Sequence, residues 1–335
     1  MKKVAIIGAS GYSGIELTKL IKQHPYLEIS GLFVSETSTD KYKNINELYP
    51  EVIGTIDYIL KPLIAHEFDF INDNCDYVCL CTDHFVSLNL AKKFLSMDKV
   101  VVDLSGAFRL ENKEYYEKYY GFMHNHSDLL DFADYGLAEW NKNSISSSKL
   151  IAVPGCYPTA ALMALKPLKK CGLIEENNKI IVNAVSGISG AGRKATLNNS
   201  FCEVSLKPYG LFTHRHTPEI NQYLGIDVLF TPHVGNFKRG ILETIYVELN
   251  EWVTTEQIED SFKYYQNMHL VRVLNKRLPT IDGVVGTPFV DIGWESQGNQ
   301  LIIVVAIDNL LKGAASQAVQ CMNLNCGLPS EHGLL

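Results

Sequence analysis

The sequence predicts an α/β chain of two domains: a parallel sheet covered by helices on both faces, then an α+β domain on a mixed sheet. Three observations carry this. Strand-like and helix-like runs alternate as far as Leu150, a glycine-rich turn joins the first strand to the first helix, and after Val153-Pro154-Gly155 strands dominate with few helices between them. A length of 335 residues also exceeds what one hydrophobic core normally organises.

In the first domain the strand candidates are residues 3–8, 28–35, 77–82 and 100–104. They are rich in Val, Ile, Leu and Phe, as strands buried on both faces should be. Residues 12–23 and 86–96 read as helices; the second sets Val86, Leu90, Phe94 and Leu95 at helical spacing. Residues 144–148, a serine-rich stretch, are the expected exposed join. The division expected is 1–148 with 310–335 as the dinucleotide-binding domain, and 149–309 as the catalytic and oligomerisation domain.

The second domain opens on a helix over 159–171, stopped by Gly172. Strand candidates follow at 179–186, 227–231, 242–249, 270–274, 289–294 and 301–307. A helix over 256–267 interrupts them, with Thr254 and Gln257 spaced as a capping box. The last helix, 311–323, carries Ala314, Ala315, Ala318 and Val319, small residues that permit close packing, and its expected place is back on the first domain.

Composition narrows the function classes. Hydrophobic residues make up 46% and charged residues 20%, a globular balance rather than a disordered one. The net charge of -7 and the lack of a dense Lys/Arg run argue against a nucleic-acid partner. No window approaches the roughly 18 apolar residues of a membrane span. The start, Met1-Lys2-Lys3-Val4-Ala5-Ile6-Ile7-Gly8, resembles a signal peptide only until its apolar run ends at glycine, and reads as a buried strand of a cytoplasmic enzyme. Eight cysteines are too sparse for a disulfide scaffold, and Cys79 and Cys81 read as buried apolar residues.

Gly8-Ala9-Ser10-Gly11-Tyr12-Ser13-Gly14 follows the first strand and opens the first helix. Its G-x-x-G-x-x-G spacing is a variant of the dinucleotide fingerprint, and it predicts a Rossmann-like domain. Glycines let the chain turn tightly and let a pyrophosphate approach amides at the positive end of a helix. Cofactor contacts are therefore expected at Gly8, Ser10, Gly11, Tyr12, Ser13 and Gly14. At the end of the second strand an NAD enzyme usually carries an acid. Here Ser35 and Ser38 offer hydrogen bonds to a 2′-phosphate, with Lys41 and Lys43 near; Glu36 is the contrary signal. The expectation is NADP(H).

Val153-Pro154-Gly155-Cys156-Tyr157-Pro158-Thr159 sets a cysteine at the start of a helix, with Pro158 suited to its first turn. A helix N-terminus lowers a thiol pKa and favours the thiolate, so Cys156 is a candidate nucleophile; a buried structural cysteine is the alternative. Its base is sought in His214-Arg215-His216-Thr217-Pro218-Glu219, where Thr217 reads as a helix cap. This His-x-His, like His124 and His126, lacks a third ligand at a recognisable spacing, so no metal is expected. Ser186-Gly187-Ile188-Ser189-Gly190-Ala191-Gly192-Arg193-Lys194 is a glycine-rich basic loop able to close over an anion, or simply an exposed loop. Ser105 and Arg109 follow another strand end and are candidate phosphate contacts.

Together these segments resemble the N-acetyl-γ-glutamyl-phosphate reductase family, relatives of aspartate-semialdehyde dehydrogenase. The resemblance rests on GASGYSG at 8–14, PGCYPTA at 154–160, SGISGAGRKA at 186–195, PYGLFTHRHTPEI at 208–220, TPHVGNFKRGIL at 231–242 and DNLLKGAASQAVQ at 308–320, in the family's order. It implies NADPH-dependent reduction of an acyl phosphate to an aldehyde through a cysteine thioester, in arginine biosynthesis. It implies Cys156 as nucleophile and His216 as general acid/base. Arg109, Ser105, Ser186, Gly187 and Arg193 fall to the anionic ends of the substrate, and Glu219 to a substrate contact or to the orientation of a histidine. Thr82 and Asn309 join the cofactor contacts, Asn309 near the nicotinamide amide. A homodimer or homotetramer is implied as well. Two places depart from the family pattern: Cys81-Thr82-Asp83-His84 replaces a more apolar turn, and Ala107 stands where an Asp is often found. Two other readings remain: a reductase of the aspartate-semialdehyde type acting on another acyl phosphate, and a non-catalytic NADP-binding sensor.

Overall fold

The computed structural model describes residues 1–335 other than Glu176 and Lys276, with Asn198 described by its backbone alone. The chain divides into two compact units, Met1–Pro154 with Ala314–Leu335, and Gly155–Gly313.

The first unit is built on seven strands: β1 (Lys2–Ile7), β2 (Leu27–Val34), β3 (Leu60–Pro62), β4 (Tyr77–Leu80), β5 (Val100–Asp103), β6 (Asp134–Tyr135) and β7 (Leu150–Ala152). They lie in the order β3-β2-β1-β4-β5-β7-β6, every neighbouring pair parallel. The helices are α1 (Tyr12–Gln23), α2 (Ile45–Leu48), α3 (Ala65–Asn74), α4 (His84–Ser96), α5 (Glu114–Tyr120) and α6 (Lys142–Ile145). One core gathers Ala5, Ile7, Phe33, Val78, Leu80, Phe94 and Val101, all buried. The strand order reverses between β1 and β4, and ligands of such sheets bind at the carboxyl ends beside that reversal.

Among the described residues the second unit holds α7 (Cys156–Lys170), α8 (His216–Leu224), α9 (Thr255–Phe262) and seven more strands: β8 (Ile180–Gly187), β9 (Lys207–Pro208), β10 (Leu229–Gly235), β11 (Ile241–Glu248), β12 (Val271–Asn275), β13 (Val290–Gln297) and β14 (Gln300–Ile307). Their order is β12-β13-β14-β11-β8-β10-β9. The β8–β10 and β12–β13 pairs are parallel and the rest antiparallel, so the sheet is mixed. Along β11 Ile241, Glu243, Ile245 and Val247 are buried and alternate with more exposed neighbours, the period of two expected of a sheet covered on one face. Helix α7 packs on β11 and β14.

Several local expectations change. Residues 144 and 145 of the expected join are the end of α6, and Ser148 is buried with its hydroxyl donating to the Leu150 carbonyl; the chain passes between units at Pro154 and Gly155 instead. Helix α7 begins at Cys156, so the cysteine is its first residue and Gly155 its cap. Thr217 is not a cap. Helix α8 starts at His216, whose N–H goes to His214 Nδ1, so the histidine two residues earlier takes the capping duty. The last helical segment is two pieces, a π-helical turn Leu311–Ala315 and α10 (Ser316–Asn325). Asp308 explains the break: its Oδ1 accepts from the amides of Leu310 and Leu311, and its carbonyl accepts from Gly313, five residues on. The expected capping box of α9 is present, but that helix ends at Phe262 in a 3₁₀ turn.

Candidate active site

In the first unit the glycine-rich turn leaves β1 and enters α1 with Gly11 as its cap. Gly8 has φ +84°, a conformation that favours glycine, and a side chain there would run into the Cys81 carbonyl and lie 3.1 Å from Thr82 Cγ2. Thr82 is thus set beside the turn. A Cβ at Gly14 would lie 2.5 Å from the Gly8 carbonyl oxygen, so the third glycine lets helix and strand close up. Gly11 is different: a Cβ there meets only that same oxygen, at 3.4 Å. Ser10, Tyr12 and Ser13 are half-buried around the turn, and Tyr49 Oη donates to the Ser10 carbonyl at 2.8 Å. A turn cleared of side chains at the start of a helix fits a pyrophosphate.

At the end of β2, Ser35 is exposed and its hydroxyl pairs with that of Thr37 at 2.9 Å. Ser38 Oγ accepts from the Asp40 amide, Lys41 Nζ donates to the Glu36 carbonyl and Lys43 pairs with Asp40. At the end of β5, Asp103 is fully buried, and burial raises its pKa against the bonds from Ser105. Ser105 gives both its amide and its hydroxyl to that carboxyl, at 3.0 and 2.8 Å. Arg109, 5% exposed, donates from Nε to the Val153 carbonyl at 2.8 Å and from Nη2 to the Leu104 carbonyl at 2.9 Å. Both expected phosphate contacts therefore also brace the loop after β5. His84, which no motif in the sequence marks, accepts the Gly106 amide on Nδ1 at 2.7 Å and belongs to the same brace.

The second unit brings Cys156, His216 and Glu219 together around Gly155. Cys156 is half-buried at the start of α7. A Cβ added at Gly155 would lie 2.5 Å from His216 Nε2, so the imidazole lies flat against the residue preceding the cysteine. Glu219, one turn further along α8 and wholly buried, accepts the Gly155 amide on Oε1 at 2.8 Å. The sequence left a substrate contact or a histidine partner open for this acid; the bond found is to backbone. A Cβ at Gly313 would lie 2.7 Å from Cys156 Cβ.

The two histidines of the His-x-His stretch differ sharply. Burial, with the charge of Arg215 as a lesser cause, pulls the His214 pKa down to about 3. Its ring centroid is 4.8 Å from that of His216, and it also packs edge-on to Tyr157, Tyr209 and Phe230. His214 is a neutral structural ring whose Nδ1 is spent on the His216 amide. Tyr157 Oη donates to the His233 carbonyl at 3.1 Å and closes the far wall of this aromatic cluster.

Asn309 accepts the Gly240 amide at 2.7 Å and donates to Ser189 Oγ at 3.0 Å. Asp308 beside it holds Arg239 Nε at 2.6 Å and the Gly286 amide at 2.7 Å. These two residues gather the loops after β8, β10 and the 281–283 turn. Ser186 is buried with its hydroxyl on the Gly187 carbonyl, and Gly187 takes the Gly240 carbonyl through its own amide. Arg193 is exposed on the loop that follows. Glu243 was missed in the sequence, although an acid in an otherwise apolar alternation is visible there. Both its oxygens are buried without a hydrogen bond, and burial raises its pKa well above the carboxylate range. Among the described residues no three His, Cys, Asp or Glu side chains converge as metal ligands. No helix of the described residues is long and apolar enough to cross a membrane.

The family model described as "Semialdehyde dehydrogenase, NAD binding domain" matches residues 3–148, and "Semialdehyde dehydrogenase, dimerisation domain" matches residues 156–309. The N-acetyl-gamma-glutamyl-phosphate reductase of Aeromonas salmonicida is 53% identical over 100% of both chains, and that of Aliivibrio fischeri is 53% identical over 98% of each. The chain belongs to the N-acetyl-gamma-glutamyl-phosphate reductase family. Its fold is shared more widely. The aspartate semialdehyde dehydrogenase II of Vibrio cholerae, solved with ASA, superposes with a TM-score of 0.74 at 19% identity, over 98% of both chains. The aspartate semialdehyde dehydrogenase of Candida albicans, solved with NADP, gives 0.68 at 17% identity, over 97% of this chain and 98% of that one.

Proposed function

We propose that this chain reduces N-acetyl-γ-glutamyl phosphate to N-acetylglutamate semialdehyde with NADPH, releasing phosphate, as a step of arginine biosynthesis. The observation that carries the reading is the packing of His216 on Gly155, immediately before a half-buried Cys156 at a helix start, in a chain of this family. The Cys156 thiolate attacks the acyl carbon, the carbon–oxygen bond to phosphate breaks, and a thioester forms. The turn at 8–14, with Ser35 and Ser38 toward a 2′-phosphate, Thr82 and Asn309, is the proposed holder of the dinucleotide, which when bound supplies a hydride to that carbon. Collapse of the resulting thiohemiacetal returns the thiolate and frees the aldehyde, with His216 managing the proton. His214 does not compete for that duty, because it is neutral and its Nδ1 is committed.

Backbone amides at the start of α7 are proposed for the developing oxyanion. Pro158 has none, the Thr159 amide bonds back to the Gly155 carbonyl, and the Gly155 amide is held by Glu219. Ser105, Arg109, Ser186, Gly187 and Arg193 are proposed for the anionic ends of the substrate; of these Arg193 is exposed. The match to a dimerisation domain supports a homo-oligomer, proposed as a dimer or tetramer in the cytoplasm. The test is NADPH oxidation with N-acetyl-γ-glutamyl phosphate set against β-aspartyl phosphate. Turnover only with the free-amine substrate overturns the assignment in favour of the aspartate type, and no turnover with either favours a sensor.

A further inference from the structure

We infer that Glu219 is a positioning residue that sets the peptide preceding the nucleophile by accepting the Gly155 amide, a role that rests on the proposed cysteine chemistry and involves no contact with substrate.

Gly155 is gripped from three sides. Its amide goes to Glu219 Oε1 at 2.8 Å, its carbonyl takes both the amide and the hydroxyl of Thr159 at 2.9 Å, and its α-carbon is faced by the His216 ring. Its backbone, φ -65° and ψ 154°, is open to any residue, so glycine is required for space and not for conformation. The next residue is Cys156, and the orientation of the Gly155–Cys156 peptide decides where the thiolate and the first helix amides point.

Burying a carboxyl group on a neutral backbone amide is an expensive way to cap a helix, since desolvation opposes it. The placement gives a reason. Glu219 lies three residues after His216 on one face of α8, so a single helical turn presents the imidazole to one side of Gly155 and the acceptor to its amide. The acid thereby ties the register of the base-bearing helix to that of the nucleophile-bearing helix. Hydrogen-bond acceptance at Oε1 is what this role asks of Glu219. Glutamine keeps an acceptor at the same reach; alanine does not.

The test uses full-length enzyme with N-acetyl-γ-glutamyl phosphate and no NADPH, following the rate and half-saturation of phosphate release in a single turnover. Alkylation of Cys156 by iodoacetamide across pH is measured alongside. Misplacing reacting groups by about an ångström costs on the order of 10²-fold, so Glu219→Ala should slow release by roughly 10- to 100-fold while half-saturation moves less than about threefold, and Glu219→Gln should stay within about threefold of wild type in both. Alkylation should follow the same order, altered in Glu219→Ala and near wild type in Glu219→Gln. A raised half-saturation at unchanged rate overturns the inference in favour of substrate binding. A Glu219→Gln enzyme as slow as Glu219→Ala overturns it in favour of charge, and a fast Glu219→Ala overturns it outright. If Glu219→Ala does not fold, Glu219→Gln decides alone. Absence of phosphate release in wild type defeats the cysteine chemistry instead, and alkylation then still reports whether Glu219 positions Cys156.

Discussion

Gly313 leaves no room for a side chain against Cys156: a methyl group on its α-carbon would lie 2.7 Å from Cys156 Cβ and 3.2 Å from Cys156 Cα. The π-helical turn that contains Gly313 therefore forms one wall of the nucleophile. Gly313→Ala separates two effects of opposite sign. Helix propensity favours alanine by about 1 kcal/mol, whereas forcing a methyl into a packed site costs about 1–3 kcal/mol. The expected outcome is a modest change in the denaturation midpoint and a loss of roughly tenfold or more in the single-turnover rate, because the displaced atom bears the reacting sulfur. An enzyme with wild-type turnover would remove Gly313 from the site.

That turn also marks the limit of sequence reading. Regular elements with clean periodicity were legible: α1 lies where 12–23 was expected, and the strands of both sheets were found to within a few residues, apart from short ones such as β3, β6, β7 and β9. What escaped was fixed by contacts between distant residues. The π turn at 311–315 depends on Asp308, the start of α8 on a side chain of His214, and the bond of Glu219 on the glycine that caps another helix. None of these leaves a periodic trace. Cys156 and His216 could be named from motifs, but the division of labour between His214 and His216 follows only from their surroundings.

That division predicts a pH dependence. His214 has an ordinary pKa of 6.5 and about 3 in the folded protein, chiefly from burial. Between those values the unfolded chain binds a proton that the folded one does not, so stability falls as pH drops through that window, by up to about 1.4 kcal/mol per pH unit. Burial lowers the pKa of His24 and His124 too, adding terms of the same sign. His214→Asn removes one of these terms while offering an acceptor to the His216 amide. Urea denaturation should show the wild type losing more stability than the variant between pH 7.5 and pH 5, by about 2 kcal/mol. Parallel losses would mean that His214 protonates in the folded state.

At the end of β2, exposed Ser35 carries the cofactor prediction. A carboxylate beside a 2′-phosphate is repelled by about 1 kcal/mol per unit charge at 4 Å even in water. Ser35→Asp should raise the NADPH half-saturation by roughly fivefold or more, with little change for NADH. Equal catalytic efficiency of the wild type with both cofactors would remove the 2′-phosphate from this loop.

The last prediction concerns Cys156 itself. A thioester requires phosphate to leave before hydride arrives, so enzyme mixed with acyl phosphate and no NADPH should release up to one equivalent of phosphate per active subunit. The protein should gain the mass of the acyl group at Cys156. Cys156→Ser should show neither effect, because a serine hydroxyl stays protonated near neutral pH and is a poorer nucleophile. His216→Asn should slow turnover by about 10²–10⁴-fold, the usual contribution of a positioned proton-transfer group. Cys171 and Cys202 are both exposed and serve as controls. Replacing either by alanine should leave the burst intact and, given that exposure, cost little stability. Their thiols are open to solvent, so acyl transfer to them is chemically possible and is read directly by peptide mapping. Acylation mapped to Cys171 or Cys202, or an active Cys156→Ala enzyme, would take the nucleophile away from the start of α7 and with it the role proposed for His216.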